Sequence, residues 1–312
     1  MGRIIGICIS EKRGTEKHEV DACEIVEGWG LKGDAHGGDW HRQISLLSYE
    51  KIEEFRARGA EVDLGAFGEN LIVEGFDLRT LPVGTRFRIG KAELILTQIG
   101  KECHSHCAIY RRMGDCIMPR EGVFTRVIHG GRIQKGDTVE MIPPEKDRPF
   151  TAAVITLSDK GAAGEREDRS GPEVERLLKE AGYEVVETLL LADEQAALEQ
   201  QLIRLADQRQ VSVIMTTGGT GFSVRDVTPE ATIAVCDRMA NGIAEAIRAY
   251  SMTITPRAML SRAVSGIRGR TLIVNLPGSP KAVQEALEFL LPNLGHGLGI
   301  LRGTEGECAR TS

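Results

Sequence analysis

The chain has 312 residues, 41% hydrophobic and 27% charged, with a net charge of −6, which favours two ordinary globular domains over one. Up to Pro149 it carries 22 basic and 24 acidic residues and beyond it 17 and 21, so the halves stand at about −2 and −4. Neither has the basic excess of a nucleic-acid or anionic-membrane binder. No apolar stretch is long enough to span a bilayer and the first residues lack a signal-peptide core; seven cysteines then read as free thiols or a metal site rather than disulfides, and the cytoplasm as the compartment.

In the first half, short β-type runs at Arg42–Leu47, Asn70–Val73, Arg86–Ile89 and Glu93–Thr97 alternate with Gly, Asp and Pro turns, and Ser48–Arg58 is the one clear helix. This predicts a mainly-β domain closed into a barrel. Cys103-His104-Ser105-His106-Cys107, with Cys116 beyond, is dense in soft ligands that would suit zinc, although the spacing is not that of a zinc finger. Cys8 and Cys23 fall in β-type runs and read as core. His36 and His41 flank glycine-rich turns and read as structural or phosphate-contacting, and Arg42 as a surface residue or an anion holder.

Residues 143–150 are a linker, with three prolines and four charges between Pro143 and Pro149. From Ala152 the pattern is βαβαβ: strands at Ala152–Leu157, Glu184–Leu191 and Val211–Met215, helices at Ser170–Ala181 and Glu194–Arg209, and a later strand at Thr271–Asn275 leading to a helix from Lys281. That order predicts a parallel sheet covered by helices, an α/β three-layer sandwich over 151–312.

Loops that leave parallel strands by their carboxyl ends share one edge. Four such loops carry chemistry: Ser158-Asp159, Asp193-Glu194, Gly218-Gly219-Thr220-Gly221 with Asp226, and Pro277-Gly278-Ser279. A glycine-rich turn before a helix start offers backbone N–H groups to an anion, with Thr228 positioned to cap and Pro229 in the first turn. Asp226 in that turn can hold a divalent cation against phosphate. Plainer readings exist: Asp193 as a helix N-cap, Asp226 as an Asx-turn residue, Asp159 as a turn residue, Ser279 as a cap and Cys236 as helical core.

Leu157-Ser158-Asp159-Lys160, Glu167 to Pro172, Asp193-Glu194, Thr216 to Thr232, Leu260 to Gly269 and Asn275 to Lys281 follow one another in an order that resembles the molybdopterin adenylyltransferase family, which includes MogA, MoaB and the gephyrin G domain. The resemblance covers nearly all of 151–312. It implies Mg²⁺-dependent adenylylation of molybdopterin by ATP with release of pyrophosphate. Asp193 and Asp226 would be the catalytic carboxylates, with Asp226 on Mg²⁺. Ser158, Asp159, Gly218, Gly219, Thr220, Gly221, Pro277, Gly278 and Ser279 would form the nucleotide and pterin pocket, and the assembly would be a homotrimer. Ala192 replaces the proline that many members have before the Asp-Glu pair, and Ser223-Val224 also departs from the usual pattern.

Lys32 to Gly38, Arg42 to Leu47, Phe67 to Leu71 and Gly114 to Phe124 resemble a MOSC domain, named for the molybdenum cofactor sulfurase C-terminus, over about residues 5–142 of a domain set at 1–142. This implies a β-barrel that binds molybdenum cofactor or carries sulfur, with Cys103 at the functional cysteine position and a candidate molybdenum ligand. A fusion of the two would tether a labile intermediate at roughly millimolar effective concentration. Partners would be molybdopterin, ATP and other cofactor-biosynthesis proteins, with no nucleic acid and no membrane. The alternative is a carrier or scaffold that binds molybdopterin without turning it over.

Overall fold

The computed structural model describes residues 1–102, 110 and 114–305. The chain divides into two compact units, Met1–Glu145 and Lys146–Ser312.

In the first unit, strands β1 (Gly2–Ile9), β2 (His18–Val20), β3 (Ala22–Val26), β4 (Gly30–Leu31), β5 (Ile44–Ser48), β6 (Leu71–Glu74), β7 (Arg86–Ile89), β8 (Ala92–Ile99), β9 (Val123–His129), β10 (Gly131–Gln134) and β11 (Thr138–Ile142) form two sheets. Seven of them run in the order β11-β7-β8-β9-β5-β6-β1, and β1 pairs back to β11 through Gly2 and Arg3, closing a barrel. The far end of β1 carries β2 instead, and β10-β3-β4 makes a separate three-stranded sheet. Period-two alternation decides which residues fill the barrel. Ile7, Leu46, Leu71, Val73 and Val123 point into one core. Their neighbours Cys8, Leu47, Ile72 and Phe124 join a second, packed under Ile52 and Phe55 of helix α1 (Tyr49–Arg56). A short helix α2 (Met118–Glu121) adds Met118 to that cluster.

The second unit holds β12 (Thr151–Leu157), β13 (Glu184–Leu191), β14 (Val213–Thr217), β15 (Arg238–Met239), β16 (Ser265–Arg268) and β17 (Thr271–Leu276) in the order β13-β12-β14-β17-β16-β15. The first four are parallel and the last two pair antiparallel. Its helices are α3 (Asp159–Ala162), α4 (Ser170–Glu180), α5 (Gln195–Ile203), α6 (Thr228–Val235), α7 (Asn241–Met252) and α8 (Pro280–Arg302). On β12, Ala152 and Val154 pack with α4 and α8, whereas Ala153, Ile155 and Leu157 pack with α5 and α6. The sheet is therefore covered on both faces, giving the expected three layers.

Three local readings are corrected. The strand expected at Val211–Met215 is β14, two residues later. Val211 is buried, but it follows a turn in which Gln210 takes φ +47°. Thr228 does not cap α6; its hydroxyl donates to the Gly218 carbonyl at 2.9 Å. Cys236 lies just past the end of α6, and burial pushes its thiol up to about 11.

Candidate active site

Because β13, β12, β14 and β17 are parallel neighbours, their carboxyl ends lie along one edge. The loops leaving them line a single cleft of roughly 820 Å³ whose wall includes Ser158, Asp159, Asp193, Gly218, Gly219, Asp226, Gly278 and Ser279, a size in the usual range for small-molecule sites. Thr220 and Gly221 continue the same loop from Gly219, a Cβ on Gly221 would sit 2.9 Å from Asp226 Oδ2, and Pro277 precedes Gly278. The Arg262 N–H donates to the Thr220 carbonyl at 2.9 Å and Arg262 Nε to that of Gly221 at 2.6 Å, while Thr217 Oγ1 donates to the Pro277 carbonyl at 2.6 Å.

Glycine is required in the loop after β14. Gly218 and Gly219 have φ +93° and +64°. A Cβ on Gly218 would sit 2.3 Å from the Leu157 carbonyl oxygen, and one on Gly219 would sit 2.3 Å from Thr228 Oγ1. Gly278 packs directly against Gly218, so two loops about sixty residues apart meet through bare backbone. The carbonyls of Gly218 and Gly219 are both taken by Thr228. By contrast, the N–H groups of Gly219, Thr220 and Gly221 have no acceptor among the described residues. A run of amides with committed carbonyls and open N–H groups suits an anion.

The carboxylates beside this loop are held in a network. The Asp159 N–H donates to Asp193 Oδ2 at 2.9 Å and the Asp193 N–H donates to Asp159 Oδ1 at 3.0 Å. Asp193 is therefore not the cap of α5; Glu194 precedes that helix and makes no side-chain cap bond. Burial pushes the Asp193 carboxyl up, and the charges of Asp159 and Asp226 push the same way. Arg225 donates to both oxygens of Asp159, at 3.0 and 2.9 Å, and to Glu194 Oε1 at 2.7 Å. This contact holds the Asp159 carboxyl below its ordinary value. Asp226 Oδ2 accepts from the Ser223 N–H at 2.8 Å. Oδ1 of Asp193 and Oδ1 of Asp226 have no hydrogen-bond partner among the described residues.

No cluster of three or more His, Cys, Asp or Glu ready to hold a metal occurs among the described residues. Two carboxylates with one open oxygen each are hard donors that leave most of a coordination shell to water and phosphate. That donor set fits Mg²⁺, which is usually held by one or two carboxylates plus substrate phosphates.

Several cleft residues had no role assigned from the sequence. Arg166 Nη2 donates to Ser158 Oγ at 2.9 Å, and Asp168 Oδ1 accepts the N–H groups of Ser170 and Gly171 at the start of α4. The buried Thr156 hydroxyl has no partner among the described residues. Ser279 caps α8 as expected, accepting from the Ala282 N–H at 3.3 Å. In the first unit, Cys103 and Cys107 lie outside the described residues. Cys116 is buried in the core, and burial pushes the Cys8 thiol up to about 12. Cys23 is only half-buried. His36 Nδ1 lies 3.3 Å from Lys17 Nζ, and His41 Nε2 lies 2.9 Å from Gln98 Oε1. The Arg42 guanidinium stacks on Trp40 at 4.8 Å and Phe124 at 5.6 Å.

Comparison with known proteins finds relatives of both units. Residues 153–296 match the family described as a probable molybdopterin binding domain, and residues 32–140 match the MOSC domain. The molybdopterin adenylyltransferase of Helicobacter pylori strain 26695 is 40% identical over 152 residues, 48% of this chain and 86% of the relative. That of Escherichia coli K12 is 44% identical over 138 residues, 43% of this chain and 70% of the relative. The solved molybdopterin biosynthesis enzyme MoaB of Thermus thermophilus is 44% identical, covering 49% of this chain and 97% of that one with a TM-score of 0.48. The chain belongs to the molybdopterin adenylyltransferase family through its second unit and carries a MOSC domain in its first.

Proposed function

We propose that the second unit joins molybdopterin to the adenylyl group of ATP. An oxygen of molybdopterin's terminal phosphate forms a bond to the α-phosphorus, the bond from that phosphorus to the bridging oxygen breaks, and pyrophosphate leaves. The nucleophile is already anionic at neutral pH, so no general base is needed. The barrier is repulsion between like-charged phosphates, and the site has what relieves it. The observation that carries this reading is the meeting of open N–H groups on Gly219, Thr220 and Gly221 with Asp193 and Asp226 at one sheet edge. A single well-placed donor in a dry site is worth ~3 kcal/mol. Asp193 and Asp226 would hold Mg²⁺, which neutralises phosphate oxygens as a Lewis acid. The names of the relatives support molybdopterin as substrate.

Full-length protein given molybdopterin and Mg-ATP is expected to release pyrophosphate, and Asp226→Asn to lower kcat by ~10²-fold or more. An Asp226→Asn rate equal to wild type removes the catalytic assignment. Tight molybdopterin binding with no ATP-dependent product points to a carrier instead.

For the first unit we propose binding of molybdenum cofactor or sulfur carriage through Cys103. The support is the MOSC match over 32–140 together with the soft thiolate this cysteine would present. Molybdenum retained after incubation with the cofactor and gel filtration should be lost in Cys103→Ser and kept in Cys107→Ser. Equal retention in both variants rules out Cys103 as the ligand.

A further inference from the structure

Arg225 carries a full charge on the loop that also presents Asp226, in a cleft built for anions, so the obvious role for it is a phosphate contact. Its partners argue otherwise. The guanidinium spans two acidic groups on two other loops, Asp159 after β12 and Glu194 after β13. The Asp159 contact is bidentate, the geometry in which arginine fixes direction as well as charge. With side chains about half exposed, at 48% for Arg225 and 44% for Asp159, such a pair contributes little to stability. Its consequence is geometric. Asp159 Oδ1 accepts from Arg225 Nη2 and from the Asp193 N–H, and the Asp159 N–H donates to Asp193 Oδ2. This leaves Asp193 Oδ1 as the open oxygen, 3.2 Å from where a Cβ on Gly219 would sit. Without the guanidinium, Asp159 would be an unneutralised carboxylate beside Asp193 and would be driven away from it.

We infer, building on the adenylyl-transfer reading, that Arg225 is a positioning residue which fixes Asp193 through Asp159 and does not itself bind substrate phosphate. Asp159, on the cleft wall, then belongs to the same device and acts on Asp193 rather than on substrate phosphate.

The test is a double-mutant cycle in the full-length protein with Arg225→Gln, Asp159→Asn and the pair. Residues acting as one unit are non-additive. Each single variant should lower kcat about tenfold or more, the double should be no worse than the worse single, and the Kd for Mg-ATP without molybdopterin should stay within about twofold of wild type. Arg225→Lys, which keeps the charge but not the fork, should recover only part of the rate. Losses that multiply in the double, a tenfold weaker ATP affinity confined to the Arg225 variants, or full rescue by lysine each overturn the proposal. A readout independent of turnover separates it from the function it rests on. Amide hydrogen exchange at Asp159 and Asp193 should quicken in Arg225→Gln with the remainder of the sheet unchanged. If wild type makes no pyrophosphate yet these amides respond, the adenylyl-transfer reading fails and the positioning device stands. If the amides do not respond, the positioning device falls.

Discussion

At the scale of single residues, the glycines separate into those needed for conformation and those needed for space. Gly182, at the end of α4, has φ +85° and nothing within 4 Å of a Cβ, whereas Gly218, with φ +93°, would drive a Cβ to 2.3 Å from the Leu157 carbonyl oxygen. Alanine at Gly182 meets only the left-handed penalty of ~1–2 kcal/mol. Alanine at Gly218 meets that penalty and a backbone contact that no side-chain rotation relieves, because Leu157 ends a central strand. Gly182→Ala is expected to lower the unfolding free energy of the second unit modestly and leave ATP binding intact. Gly218→Ala should cost ~1–3 kcal/mol more and weaken ATP binding at least tenfold, through displacement of the Gly219–Gly221 amides. Urea denaturation and equilibrium nucleotide binding check both. ATP affinity unchanged in Gly218→Ala would mean that this loop is not the anion site.

Among elements, what could be read from the sequence follows how local the physics is. The edge where the four loops meet was legible because βαβ order alone forces parallel strands, and parallel strands align their carboxyl ends. Helix α4 was legible from Pro172 in its first turn and Gly182 past its end, both local signals. The end of β14 was not: Thr216 and Thr217 look like loop residues by polarity, yet both are fully buried strand residues. Their hydroxyls are bonded to neighbouring chain, Thr216 Oγ1 to Asn275 Nδ2 and Thr217 Oγ1 to the Pro277 carbonyl. Strand β1 was legible only as a β-type run about Cys8, and β9 was not singled out, because side chains on both of their faces are buried, so clean polar alternation is absent. In the cleft, Arg225 and Arg262 were visible as letters but not as parts. Arg225 reaches Asp159 across 66 positions and Arg262 reaches Gly221 across 41, and no local pattern encodes a partner that distant.

For the whole molecule, two units with separate cores mean that one unfolding free energy does not describe the chain. The units should also respond differently to pH, and Glu69 is the reason. Its carboxylate is fully buried in the first unit, accepting the N–H groups of Gly65 at 2.9 Å and Phe67 at 3.0 Å. Burial outweighs those bonds and the charge of Lys17, pushing the carboxyl from 4.5 up to about 7. The folded state therefore binds the proton more tightly than the unfolded chain. Between about pH 4.5 and 7 the folded unit holds more protons, so its stability falls as pH rises and levels off above 7. The buried Lys17–Asp34 pair, at 2.5 Å, acts in the opposite sense, through Asp34 as pH drops through the ordinary aspartate range and through Lys17, whose ammonium burial pushes down, as pH rises toward the ordinary lysine range. The window from pH 5.5 to 8 spans the Glu69 shift. Across that window the first unit should lose about 2 kcal/mol of stability in wild type. In Glu69→Gln, which keeps the volume but cannot ionise, that slope should vanish even if the baseline stability drops. Calorimetry of the full-length protein at both pH values reads this directly, because only one of two transitions should stop moving in the variant. A slope that survives Glu69→Gln places the titrating group elsewhere.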